Sequence, residues 1–219
     1  NPQKLHRADW VQHPLRMLVR AYVGGQEQSY LPVLEAALQG DSWLEVYASL
    51  RKEHARSPSF FLYSANAILK RLPGEAALAC RVCTNCLEMN FEDAQMLRSA
   101  GYFLMKAGNW ELALPVFDHV RELAPLEPQS FLDGALVRTF KLHHAFDEVE
   151  LQEAVKLAAM VITHAWANRF AEVEWPALVL LHLLVLNGES HGLSGLWPLD
   201  TGLRCPDFEM GLVVWLGWD

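Results

Sequence analysis

Residues Ala94 to Glu127, AQMLRSAGYFLMKAGNWELALPVFDHVRELAPLE, read as two short helices joined by a tight turn at Ala107-Gly108-Asn109. Gly101 is a small residue in the middle of the first helix. Trp110, Ala113 and Phe117 follow at spacings of three and four, so they share one face of the second. Pro125 closes the unit. The same register stands one unit earlier. Gly74 and Gly108 are 34 residues apart, as are Ala79 and Ala113, while Cys83 falls where Phe117 falls and Cys86 where Val120 falls. A repeat of this length is one helix pair, which cannot bury its apolar face alone and must stack on its neighbours.

The rest of the chain divides on that frame. Tyr30 to Leu38 and Trp43 to His54 predict one helix pair around the turn Gly40-Asp41-Ser42, with Asp41 or Ser42 as cap. Trp43, Leu50 and Pro58 keep the mutual spacing of Trp110, Phe117 and Pro125. Ser57-Pro58 opens the next pair, since Ser caps well and Pro is tolerated in a first turn. That pair runs from Phe60 to Leu72 and from Glu75 to Met89, with Gly74 expected at positive φ like Gly108. Pro128 to His143 and Val149 to Ala165 form a later pair with an insertion in the turn His143 to Asp147. A last helix, Arg169 to Leu186, contains Pro176, which kinks it or marks its true start. The expected units are 27–59, 60–93, 94–127 and 128–166, with a final helix over 167–187, in a helical domain of residues 1–187. An amphipathic helix from Asp9 to Tyr22, ended by Gly24-Gly25, precedes them. Residues 188–207 carry four glycines and two prolines and read as a linker. Residues 208–219, FEMGLVVWLGWD, suit a strand that opens a following β domain. The fold class is therefore all-α, an α-solenoid of antiparallel helix pairs with a stray C-terminal strand.

The order of small residue, turn glycine, aromatic, alanine, phenylalanine and closing proline resembles a tetratricopeptide repeat. The resemblance implies an inner groove lined by the first helix of each pair. By register it offers Phe61, Ser64, Ile68 and Arg71, then Gln95, Arg98, Tyr102 and Met105. Ser64, Ile68 and Tyr102 stand where a clamp for a chaperone's C-terminal carboxylate needs polar or basic groups, so the groove suits a helix or an extended peptide instead. The structural positions of the repeat are Gly74, Ala79, Cys83, Gly101, Gly108, Trp110, Ala113, Phe117 and Pro125. A second resemblance rests on Leu123 to Phe131, on Trp166 to Leu183 with Arg169-Phe170 and Glu174, and on Leu212 to Asp219. These stretches are similar to the helical region of large proteins with a VIT domain and a von Willebrand factor A domain, just before their C-terminal β domain. That family implies further domains ahead of residue 1, and with them its metal site. Trp215 departs from the family, which has a smaller residue there.

Composition excludes several function classes. A net charge of −8 with no basic block argues against nucleic acid, and Arg51 to Arg56 is broken by Glu53. The most apolar run, Ala177 to Leu186, falls far short of the roughly 20 residues of a membrane span. The start NPQKLHRADW has neither the apolar core of a signal peptide nor a methionine, so the chain reads as a segment of a longer, cytoplasmic protein. Cys80, Cys83 and Cys86 have ligand-like spacing, but three-residue steps in a helix turn each side chain about 60° from the last, and Cys83 and Cys86 fall on packing positions. They are expected to be structural, with Cys80 partly exposed. His143-His144 reads as a polar turn, and Trp43, Trp110, Trp166 and Trp175 as core. No catalytic order of Ser, His and Asp, no phosphate loop and no carboxylate pair stands out. The expectation is a non-enzymatic module without metal or cofactor that binds a protein or peptide, or braces neighbouring domains of its own chain. The alternative is an accessory module of a larger enzyme or transporter.

Overall fold

The structure is a computed structural model that describes residues 29–89 and 92–196. The expected helix over 9–22, the end of the linker and the strand over 208–219 lie outside the described residues. Every regular element among the described residues is helical, so the chain is all-α there. The helices are α1 Tyr30–Ala37, α2 Trp43–His54, α3 Pro58–Arg71, α4 Ala76–Thr84, α5 Ala94–Lys106, α6 Trp110–Leu123, α7 Pro128–His144, α8 Glu148–Thr163 and α9 Glu174–Ser190. The described residues fall into two compact units, one up to Val116 and one from Phe117 onward.

In the first unit α1, α3 and α4 make the helix contacts. α1 meets α2 and α3, α3 meets α4 and α5, and α4 meets α5. Phe60 is the hub of the α1–α3 contact. Its ring lies 5.1 Å from Tyr30, 5.8 Å from Tyr47, 5.5 Å from His54 and 5.4 Å from Phe61. Aromatic pairs at such spacings add about 0.5–1.5 kcal/mol each to what their buried area contributes. The 34-residue register is visible in burial: Ala79 and Ala113, Cys83 and Phe117, and Cys86 and Val120 are all fully buried.

Ala107-Gly108-Asn109 closes one helix and opens the next. Gly108 donates its N–H to the Met105 carbonyl and Asn109 to the Leu104 carbonyl, both at 2.9 Å. This pair of bonds satisfies the last carbonyls of α5 and needs a left-handed residue, which Gly108 supplies at φ 76°. Asn109 then caps α6: its Oδ1 accepts from the Leu112 N–H at 3.1 Å. Gly74 differs from the expectation, for it has no positive φ. There the chain reverses through Leu72 (φ −127°, ψ 69°) and a single 3₁₀ turn, Pro73–Glu75, so the glycine's freedom is not used.

Other boundaries depart from expectation for local reasons. α4 ends at Thr84 rather than Met89, because Thr84 and Asn85 turn their side chains onto the helix's open carbonyls. The Thr84 hydroxyl bonds the Arg81 carbonyl at 3.0 Å, and Asn85 Nδ2 bonds the Arg81 and Val82 carbonyls at 2.7 and 3.2 Å. Ser42 and Ser57 precede their helices without capping them. Asp93 and Asp147 do cap, each accepting from main-chain amides of the following helix.

The second unit is built on α7 against α8, α8 against α9 and α7 against α9, around Leu142, Leu151, Val161, Leu181 and Leu184. The inserted residues before α8 lengthen α7 to 17 residues and leave a link of only Ala145 to Asp147, so His143 and His144 end a helix. α9 is preceded by a 3₁₀ turn, Asn168–Val173, and Pro176 lies in its first turn, which makes that proline a start and not a kink. The helix runs through Gly188 to Ser190, three residues past the expected boundary at 187. It closes as α5 does: Leu193 bonds the Gly188 carbonyl and Gly192 the Glu189 carbonyl, both at 3.0 Å, with Gly192 at φ 83°.

A side chain at 108 would meet no atom within 4 Å, so any cost there is conformational rather than steric. Gly108→Val is expected to lose more than about 1 kcal/mol in urea unfolding, and Gly108→Asn less, since asparagine tolerates the left-handed region. Equal losses for the two would contradict this account of the turn.

Candidate functional site

Six of the eight residues expected to line a groove are buried: Phe61, Ser64, Ile68, Arg98, Tyr102 and Met105. Only Arg71 and Gln95 are exposed. The cause lies in the helices that carry them. α3 buries Phe60 to Ala65 without a break, and α5 buries Met96 to Met105. A helix that is apolar or small on nearly every side is covered on every side, which leaves no open face at these positions. Of the structural positions, Ala79, Cys83, Gly101, Ala113 and Phe117 are buried, Trp110 is half-buried, and Gly74, Gly108 and Pro125 are exposed in turns.

The cysteine motif packs in two directions. Cys80, expected to be partly exposed, is only 3% exposed, and its thiol bonds the Asn109 side chain. Burial pushes this thiol's pKa up, and the Asn109 bond offsets part of the rise. Cys83 lies against Cys86 and 4.0 Å from the Ala100 carbonyl on α5. Its hydrogen bond with Cys86, then burial, raise its pKa well above the ordinary range. Protonated, buried thiols are poor nucleophiles and poor ligands. Among the described residues no group of three or more His, Cys, Asp or Glu stands as a metal site, and that includes His143-His144, whose rings meet edge to face at 5.9 Å. The intervening Thr84 and Asn85 cap α4, and Arg51 on α2 donates to Asn85 Oδ1 at 2.8 Å. The motif is thus a helix end with its own cap.

The densest polar arrangement lies in the second unit and was not read from the sequence. Arg138, on α7, bonds both oxygens of Asp118 at 3.2 Å and places its Nε 3.2 Å from Glu150 on α8. Arg121 pairs with Asp118 at 3.3 Å and with Glu153 at 3.9 Å, and Lys141 bonds Glu150 at 2.9 Å. A Cβ at Gly134 would crowd Leu157 at 3.2 Å and stand in ordinary contact with Arg138 at 3.6 Å and Arg121 at 3.8 Å. Arg138 also donates to the Gly134 carbonyl at 3.1 Å. The network ties α6, α7 and α8 side by side. The one trace of it in the sequence is the i,i+3 spacing of Asp118 and Arg121.

The end of this unit where α7 begins, α8 ends and α9 begins is aromatic. Trp166 donates its Nε1–H to the Val161 carbonyl at 2.8 Å. Its ring lies 5.5 Å from Phe131 and 4.5 Å from His164. Trp175, expected in the core, is 59% exposed, and Leu126 beside α7 is 78% exposed. Trp43 and Trp110 are half-buried. Compared with protein-family models, with curated proteins and with solved structures, the chain matches none.

Two outcomes follow from these contacts. Cys83→Ser should cost about 1–3 kcal/mol by putting a hydroxyl into an apolar contact. In the unsubstituted protein Cys80, Cys83 and Cys86 should resist alkylation at pH 8 until urea is added; stoichiometric zinc or iron bound there and lost in the variant would reverse the structural reading. Arg138→Ala leaves Asp118 and Glu150 facing each other's helices without their shared cation. The expected loss is about 2 kcal/mol, less than a fully buried pair because these carboxylates keep 33% and 21% side-chain exposure. A loss within 0.5 kcal/mol (about the scatter of ordinary surface substitutions) would mean the network is solvated and contributes little.

Proposed function

We propose that the chain is a non-enzymatic interaction and scaffold module of a larger protein, built as a tetratricopeptide-like stack of helix pairs. The observation that carries the reading is packing between alternate helices, α1 on α3, α3 on α5 and α7 on α9, within each unit. Stacking of the first helix of one pair on the first helix of the next is how helical repeats grow. The shared burial of Ala79 with Ala113, Cys83 with Phe117 and Cys86 with Val120 supports the same repeat. Six of the eight groove residues are buried, so this reading puts recognition on exposed residues outside them.

The resemblance to proteins with VIT and von Willebrand factor A domains suggests that the module braces those domains or presents a partner to them. Three buried, free thiols accord with a reducing, cytoplasmic setting. Among the described residues no helix is long and apolar enough to cross a membrane.

The test uses the intact parent protein. Proteins that co-purify with it, or cross-links between its own domains, should be lost when residues 29–196 are deleted. They should return when the segment is supplied in trans. Co-purification and cross-links unchanged by the deletion would overturn the scaffold reading.

A further inference from the structure

The aromatic end of the second unit combines three features. First, it is apolar yet exposed. Leu126 is 78% exposed and Trp175 59%. Second, it is preorganised. The Trp166 indole is fixed by its bond to the Val161 carbonyl and by its contact with Phe131, so binding there would freeze little side-chain motion. Third, it is acidic. Residues 122–131 and 164–175 contain four glutamates, Glu122, Glu127, Glu172 and Glu174, against Arg169 and His164. Glu172 and Glu174 are exposed on either side of the start of α9. Glu122 is engaged by His119 at 3.3 Å.

Topology gathers these residues. Leu126 and Glu127 immediately precede α7, and His164 to Trp166 immediately follow α8. The 3₁₀ turn Asn168–Val173 packs on both α7 and α9. We infer that this end, formed by Leu126, Trp166 and Trp175 with Glu172 and Glu174, docks a basic peptide segment whose arginine or lysine side chains lie against the tryptophans. Tryptophan is the best aromatic acceptor for a cation, and flanking carboxylates hold the charge in register. An anionic partner meets the exposed carboxylates of Glu172 and Glu174, and a purely apolar one offers these two no counter-charge. The inference rests on the interaction-module reading and names the partner's chemistry.

The experiment is a fluorescence-anisotropy titration of the full chain with two labelled peptides of equal length. One alternates arginine and leucine, the other glutamate and leucine. The basic peptide should bind, and the acidic one should not. Trp175→Ala should weaken binding at least fivefold with an unchanged circular-dichroism spectrum. Glu172→Gln with Glu174→Gln should weaken it and flatten its salt dependence. Val33→Ser with Leu44→Ser, in the other unit, should leave it unchanged. Absent binding, equal binding of the two peptides, or full affinity in Trp175→Ala would each overturn the site. If the basic peptide fails to bind while the parent protein still loses its partners on deletion of residues 29–196, this site falls and the scaffold reading stands. If the peptide binds as described and the deletion changes nothing, the converse holds.

Discussion

Between Lys106 and Trp110 the chain has three residues in which to satisfy the open carbonyls of one helix and the open amides of the next. It does so with two main-chain bonds into α5 and one side-chain bond into α6, hinged on a left-handed Gly108. A longer loop would satisfy the same groups with water, but it would not fix where α6 begins. Asn109 carries a second load. Its side chain also offsets part of the rise that burial gives the Cys80 thiol on α4. Cys80, Cys83, Cys86 and Ala113 are small or soft, and all are buried.

The second unit solves the same problem with charge as well as packing. α7 and α8 bury Leu142, Leu151 and Val161 between them, and a ladder of ion pairs runs along their edge with α6. Arg138 is the central rung, for it meets Asp118 on α6 and Glu150 on α8 and donates to the Gly134 carbonyl one turn earlier. Pairs of this kind fix alignment more than they add stability, since desolvation offsets much of their attraction. The far end of the same unit keeps its tryptophans partly in water, which is a cost to folding that an interaction surface would explain.

Much of the helical order was legible because it rests on local rules. α2 runs from Trp43 to His54 as the sequence predicts, and Gly108 has the expected left-handed conformation. The failures have equally local causes. Gly74 stands 34 residues from Gly108, but Pro73 directs that reversal into a 3₁₀ turn, and period alone does not reveal this. α4 stops early because Thr84 and Asn85 compete for its carbonyls, a preference that an apolar stripe conceals. The groove is a different case. Register assigned Phe61, Ile68 and Tyr102 to an inner face, but register does not report whether a face is covered. The Arg138 network was invisible because its partners are 20 and 12 residues away and meet only after three helices pack.

The account depends most on the turn at Gly108. Its direct test is amide hydrogen exchange of the whole chain, read residue by residue by NMR. The Gly108 and Asn109 amides, bonded to Met105 and Leu104, should exchange as slowly as amides inside α5, although the turn lies at the surface. Fast exchange at both positions, with α5 and α6 still protected, would contradict the hydrogen-bonded closure from which the helix register is derived.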